Sequence, residues 1–258
     1  MADHLTRLSS DARARVERGY YDHPTSDPHT HKSLKTAVRD SPTNAIITEV
    51  KFSSPSQGII RKTEPVKSVA ESMVRGGACA ISVLTDPDNF NGELGTLSQI
   101  ASTANVPVLM KDIIVSPRQL EAGVKSGADA VVIISELYLR KLGMVELPTI
   151  IESAHALGLE VLAEANHLET FIQLKSLHPD LYGINNRDLS SLQVDLSRTE
   201  NIIAKAGMVD GPIVSESGVS SPTDVRRLRR AGANAILVGT SVMKSPNVAD
   251  KVRELVQA

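Results

Sequence analysis

The chain has 258 residues, 41% of them hydrophobic, and 28 Lys plus Arg against 30 Asp plus Glu give a formal net charge of −2. That composition excludes a disordered or fibrous chain, and the near-balanced charge offers neither a basic surface for nucleic acid nor an acidic tail. One cysteine, Cys79, excludes an intramolecular disulfide, no run approaches the ~18 apolar residues of a membrane span, and MADHLTRLSSDARAR lacks a signal peptide's apolar core, so a cytoplasmic protein with no membrane partner is expected.

The polar residues before Ala45 read as a helical extension. Ser10–Arg18 and Ser33–Arg39 are expected as two helices that cap the rest, joined by a loop through HPTSDPHTH. His29 and His31 in that loop are expected to be solvated rather than to bind a metal. From Ala45 onward short apolar runs recur at Ala45–Val50, Ala78–Leu84, Val106–Met110, Asp129–Ile134, Leu159–Ala163, Leu181–Ile184, Pro212–Val214 and Ala235–Val238. Amphipathic stretches lie between them, among them Glu64–Arg75, Pro117–Lys125, Val145–Ala156 and Pro222–Arg230. Continuous apolar runs alternating with helical spacing describe parallel strands covered by helices.

The punctuation agrees. Gly77, Gly127 and Gly232 precede apolar runs in the recurrence GACAISVLT, GADAVVIIS, GANAILVGT, where a helix should end in a left-handed residue. Ser116-Pro117 and Ser221-Pro222 have the form of an N-cap followed by Pro in the first turn. Eight βα units need about 200–250 residues. The expected architecture is therefore α/β: one domain over residues 1–258, a (β/α)8 TIM barrel at 45–258 with a helical extension at 1–44. An open doubly wound sheet is the alternative, but no GxGxxG turn follows the first run.

Charged residues intrude where a parallel barrel buries both faces of its strands, and at the C-terminal ends that carry active sites in this fold. Glu49 and Lys51 share one face of the first strand, two residues apart. Lys111 ends the third, Glu164 the fifth and Glu216 the seventh, while Asn185 and Arg187 come from the sixth. These groups could form a structural ion-pair network, but buried pairs are poor stabilisers, so acid–base chemistry explains them better. Ser217-Gly218 and Gly239-Thr240 follow the last two strands, the usual phosphate loops of such barrels. A small phosphorylated substrate is expected there, and a side chain at Gly239 is expected to act mainly by filling the phosphate site.

Six motifs in order carry a resemblance: IITEVKFSSPSQG (46–58), LTDPDNFNG (84–92), VPVLMKDIIV (106–115), GINNRDL (183–189), VSESGV (214–219) and ILVGTSVM (236–243). From about Leu34 onward the chain resembles the indole-3-glycerol phosphate synthase family. The resemblance implies closure of 1-(2-carboxyphenylamino)-1-deoxyribulose 5-phosphate to indole-3-glycerol phosphate in tryptophan biosynthesis, with loss of carbon dioxide and water and without metal or cofactor. It implies Lys111 as general acid, Glu164 as its carboxylate partner, and Glu49 with Lys51 in dehydration, their two roles interchangeable on sequence. Asn185, Arg187 and Glu216 would orient the substrate and the charged groups, Ser54 would contact it from the first loop, and Phe90 would close over the ring. Phe52, Ser53 and Ile113 depart from the family pattern without touching the ionisable set. Two rivals stay open: an aldolase using Lys111 as Schiff-base nucleophile, and a non-catalytic sensor of a phosphorylated metabolite. A monomer is expected, His155, His167 and His178 fall on surface positions, and Cys79 packs in the core.

Overall fold

The computed structural model describes residues 3–24, 29–54, 58–60, 65–188 and 191–258. Helices α1 (His4–Glu17) and α2 (Leu34–Arg39) form the extension. Each of the eight apolar runs is a strand: β1 (Ala45–Val50), β2 (Ala80–Leu84), β3 (Val108–Lys111), β4 (Ala130–Ile134), β5 (Glu160–Ala165), β6 (Leu181–Asn185), β7 (Ile213–Glu216) and β8 (Ala235–Val238). All neighbours pair in parallel, and β8 closes on β1 with Ala45 beside Ala235 and Thr48 beside Val238. The helices between them are α3 (Val66–Arg75), α4 (Pro87–Phe90), α5 (Leu94–Ala101), α6 (Pro117–Lys125), α7 (Ser135–Leu139), α8 (Leu147–Ala156), α9 (Leu168–Leu174), α10 (Ser197–Ala206), α11 (Pro222–Ala231), α12 (Thr240–Lys244) and α13 (Val248–Val256). A short antiparallel ribbon pairs Ser53 with Ile59 and Ser54 with Gly58.

Local chemistry sets these boundaries. Ser116 and Ser221 close capping boxes with Gln119 and Asp224, and Pro stands in the first turn of both helices. Gly77, Gly127 and Gly232 all take positive φ, which ends each helix and turns the chain into the next strand. No helix among the described residues is long and apolar enough to cross a membrane.

The extension grips the barrel at both ends. α2 sits beneath it: Ser33 Oγ donates to Glu160 Oε1 at 2.5 Å and the Lys35 amide to Glu160 Oε2 at 2.8 Å, at the start of β5. His29 is not solvated as expected. Its ring lies 2.7 Å from Asp129 Oδ1, an oxygen that also accepts the Lys32 amide, so a buried carboxylate just before β4 pulls the linker inward. His31 is exposed, and Thr25–Pro28 of the same loop lie outside the described residues.

α1 lies over the opposite end and buries Leu5, Leu8, Ala12 and Val16. Its Arg15 is only 1% exposed, with the guanidinium 2.8 Å from Asp88, 3.2 Å from Asp86 and 3.3 Å from Asp112. Tyr21 and Thr85 donate to the other oxygen of Asp112 at 3.0 and 2.7 Å. Burial pushes the Asp112 carboxyl up while Arg15 draws it down. Removing one partner of a buried pair costs about 3–5 kcal/mol because a desolvated charge is left behind. Arg15→Met is therefore expected to lower the unfolding free energy by that amount in urea titration; a loss under about 1 kcal/mol would show that Asp86 and Asp112 find other partners.

Candidate active site

The C-terminal ends of the strands enclose a cavity of about 440 Å³. Glu49, Lys51, Phe90, Lys111, Glu164, Asn185, Arg187, Glu216, Ser217, Gly218, Gly239 and Thr240 all line it. Residues spread over nearly two hundred positions thus converge because parallel strands bring all their C-terminal ends to one rim. Of the expected site residues only Ser54 is not placed: its backbone joins the ribbon, and its side chain lies outside the described residues, as do Pro55–Gln57 and Leu189 of the motifs.

Two ion-pair groups divide the cavity. Lys111 Nζ stands 2.9 Å from Glu164 Oε2 and 2.9 Å from Glu216 Oε2, both carboxylates being 2% exposed. Asn185 Nδ2 donates to the other oxygen of Glu164 at 2.8 Å, and Asn185 Oδ1 accepts the Arg187 amide at 2.9 Å. The second group is Lys51 Nζ at 2.6 Å from Glu49 Oε1. Although burial opposes its charge, the carboxylates of Glu164, Glu216 and Glu49 hold the Lys111 amino group well above the ordinary lysine range. Burial likewise opposes the charge of Glu49, yet Lys51, Lys111 and Arg187 keep it below the ordinary carboxylate range. Glu216 goes the other way. Burial pushes its carboxyl up to about 8, outweighing the pull of Lys111, with Glu164 and Glu49 adding to the rise. Its Oε1 is buried without a hydrogen-bond partner among the described residues, consistent with a carboxyl that holds a proton at neutral pH.

The loops after β7 and β8 form the adjoining wall. Ser217 and Gly218 both have positive φ, at 67° and 91°. A non-glycine residue held there marks a turn set by its surroundings. Ser241 Oγ donates to the Val219 carbonyl at 3.0 Å and ties the two loops together. The N-cap of α12 is Gly239, which has no side chain to cap the first amides of that turn.

The indole-3-glycerol phosphate synthase family model matches residues 6–255. The chain is 42% identical over 230 residues to the indole-3-glycerol phosphate synthase of Methanopyrus kandleri, covering 88% of each. It is 35% identical over 254 residues to that of Geobacillus thermodenitrificans, covering 97% of this chain and 96% of the relative. The chain belongs to the indole-3-glycerol phosphate synthase family. Enzymes of that family are carboxy-lyases of tryptophan biosynthesis. A solved thiamine phosphate pyrophosphorylase from Pyrococcus furiosus shares the fold alone, with a TM-score of 0.61 at 20% identity over 86% of this chain and 96% of that one.

Within this indole-3-glycerol phosphate synthase family member, the structure adds cavity residues that the motifs did not single out. His4 and Leu8 reach in from α1, four residues apart and so on one helical face, and Leu192 and Lys244 come from beyond β6 and β8. The i, i+4 spacing in HLTRL was the available signal for the first pair; nothing local marks Leu192. The apolar lining of the cavity, besides Phe90, is aliphatic and includes Leu8, Leu84, Ile113, Ile134 and Leu192.

One expectation about Gly239 needs correcting. A Cβ there would lie 2.6 Å from Glu49 Oε1 and 3.1 Å from Glu49 Cβ, so a side chain meets the carboxylate rather than acting mainly on a phosphate site. Gly239→Ala is therefore expected to displace Glu49 from Lys51 and to lower kcat by at least ~10-fold, with a smaller effect on KM. Steady-state kinetics on a variant shown to be folded by circular dichroism checks this; unchanged kcat means that Glu49 can yield without loss.

Proposed function

We propose that this chain converts 1-(2-carboxyphenylamino)-1-deoxyribulose 5-phosphate to indole-3-glycerol phosphate, carbon dioxide and water. The observation that carries the reading is the Lys111 ammonium held 2.9 Å from two buried carboxylates, in a cavity bordered by two glycine loops, in a member of this family. The loops at Ser217-Gly218 and Gly239-Thr240 take the phosphate, Ser54 contacts the substrate from the first loop, and Phe90 with its aliphatic neighbours packs the aromatic ring. Arg187 and Asn185 orient the carboxylate end, and Glu216, carrying a proton, hydrogen-bonds the sugar hydroxyls or steadies Lys111.

In the first step the ring carbon bearing the carboxylate attacks the ketose carbonyl carbon, and the carbonyl oxygen takes a proton from Lys111. An alkoxide is a far stronger base than a carboxylate, so the transfer is favourable even from an amine held above its ordinary value. Glu164, held by Asn185, stabilises the positive charge that develops on the ring and nitrogen. The bond to the carboxylate then breaks, its electron pair restores the ring, and carbon dioxide leaves. Dehydration needs a donor for the departing hydroxyl and an acceptor for the proton on the neighbouring carbon. Lys51 and Glu49, paired at 2.6 Å, supply that acid and its orienting base.

Schiff-base chemistry would need Lys111 as a neutral amine, whereas the Glu164 and Glu49 carboxylates favour its charged form. Binding of a phosphorylated metabolite alone would not require Lys111 between two buried carboxylates. The reading extends to one domain over residues 1–258, working as a cytoplasmic monomer on a small-molecule substrate without a cofactor, metal or nucleic-acid partner; the near-balanced charge supports that last exclusion.

The direct test is a fluorescence assay for indole-glycerol phosphate formed from the carboxyphenylamino sugar phosphate; no turnover by the wild-type protein would sink the reading. Lys111→Ala is expected to lower turnover by about 10²–10⁴ or more while phosphate binding persists. A pH profile tests Glu216. Below about 8 its carboxyl is protonated and the cavity suits an anionic substrate; above it, ionisation adds a negative charge beside Lys111. We therefore expect kcat/KM to fall as pH rises through about 8, and Glu216→Gln, which cannot ionise, to lose that alkaline limb. An unchanged limb in the variant assigns the ionisation to another group.

A further inference from the structure

Two buried polar residues outside the acid–base set are joined to it. Glu136 lies in the first turn of α7, just past the end of β4, and is 8% exposed. Its Oε1 accepts the backbone amide of Asn166 at 2.6 Å, one residue past the end of β5 and two past Glu164. Asn166 is itself 1% exposed, and its side-chain Nδ2 donates twice, to the Asn185 carbonyl at 2.9 Å and to the Arg187 carbonyl at 2.6 Å. The Asn166 carbonyl accepts from Arg198 of α10 at 2.7 Å. Asn166 is therefore a hub between the ends of β4, β5 and β6, and the two carbonyls it holds belong to Asn185, which contacts Glu164, and Arg187, which lines the cavity.

A carboxyl group at this depth needs a reason. Apolar residues would serve packing better, since a buried carboxyl loses its hydration. Glu136 Oε2 and Asn166 Oδ1 are both buried without a hydrogen-bond partner among the described residues. What the pair does satisfy is the alignment of the Asn185–Arg187 segment. Burial pushes the Glu136 carboxyl up to about 7, with Glu164 adding to the rise and the Asn166 amide opposing it, so the neutral form is accessible and an acceptor oxygen alone can do the work.

We propose that Glu136 and Asn166 are positioning residues for the ring-closing reaction: Glu136 fixes Asn166 through its backbone amide, and the Asn166 carboxamide sets where Asn185 and Arg187 stand against Glu164 and the substrate. The inference rests on the functional reading above. Asn166 itself bonds the Asn185 and Arg187 carbonyls and not the loops after β7 and β8, which meet this segment through Asn186, whose side chain donates to the Ser217 carbonyl at 3.1 Å, so loss of the alignment is expected to act on the reacting end of the substrate more than on its anchor. A misplacement near 1 Å at such a site can cost about 10²-fold in rate.

The test uses Glu136→Gln, Glu136→Leu, Asn166→Ala and the Glu136→Leu/Asn166→Ala double variant in the full chain. Gln keeps an acceptor for the Asn166 amide, so its kcat is expected within about threefold of wild type. Leu and Ala are each expected to lower kcat by at least ~10-fold with KM changed less, and the double variant to fall no further than Asn166→Ala alone, because both act through one contact. Near-normal kcat in Glu136→Leu, a Gln variant as impaired as Leu, or multiplicative losses in the double variant each overturn the proposal. If Glu136→Leu fails to fold, Asn166→Ala decides it: unchanged kcat there overturns it. Hydrogen exchange read by mass spectrometry over residues 183–188 keeps the outcome independent of the assigned reaction. Faster exchange in that segment in Glu136→Leu and Asn166→Ala, with β1 and β2 unchanged, is expected whether or not the wild-type protein turns over this sugar phosphate; unchanged exchange in both overturns the inference.

Discussion

The Lys111 ammonium, half-buried at the end of β3, is the constraint that organises this cavity. Carboxyl groups in contact favour the charged form of such an amine, and Glu164 and Glu216 supply them from β5 and β7. Two carboxylates around one ammonium leave an excess of negative charge, which is relieved if Glu216 retains a proton. The strand register makes this triad possible. Glu164 pairs with Gly183, which leaves room beside it, while Asn185, in register with Glu216, reaches Glu164 from the next inward-facing position of β6. A Cβ at Gly183 would come within 2.6 Å of Glu216 Oε1, and the glycine is there for that oxygen rather than for backbone freedom.

The same logic repeats across the cavity at Glu49, where Gly239 of the β8 loop clears the space. The two groups differ in charge balance. Glu49 is drawn down by Lys51, Lys111 and Arg187, whereas Glu216 is driven up by burial and neighbouring acids. Carboxyl groups of one chemical type are thus pushed apart in proton affinity by their surroundings, which is how a site of Lys and Glu alone can offer both acid and base. A reaction with separate ring-closure and dehydration steps calls for two such centres, and the barrel rim keeps them on different strands.

Strands and site were legible for the same reason: both depend on patterns local to a strand. The runs from Ala45–Val50 to Ala235–Val238 give the eight strands, with ends shifted by at most a few residues, because burial on both faces demands continuous apolar sequence. Lys111, Glu164 and Glu216 stood out against that background as charges in buried positions. His29 did not read correctly because its partner Asp129 lies a hundred residues away, and a polar loop gives no sign of the carboxylate that will bind it. Gly239 was misread because its neighbour on the side-chain face is Glu49 across the β1–β8 closure, a contact created only when the barrel shuts. Glu136 escaped notice altogether: in SELYL it looks like an ordinary first-turn acid, and only the fold shows that it is buried against Asn166.

The extension belongs to this electrostatic design more than its position in the chain suggests. Arg15 on α1 reaches Asp112, the residue that follows Lys111, and Tyr21 and Thr85 complete the shell of the same carboxylate. Asp112 also turns back to accept the Ile113 amide at 2.7 Å, so it fixes the chain direction immediately after Lys111. α1 meanwhile contributes Leu8 to the cavity wall opposite the strand ends. A barrel of eight strands alone would leave Asp86 and Asp112 as buried acids without the guanidinium that stands 3.2 and 3.3 Å from them. The helix before the first strand thereby neutralises the carboxylate that follows Lys111 at the end of the third.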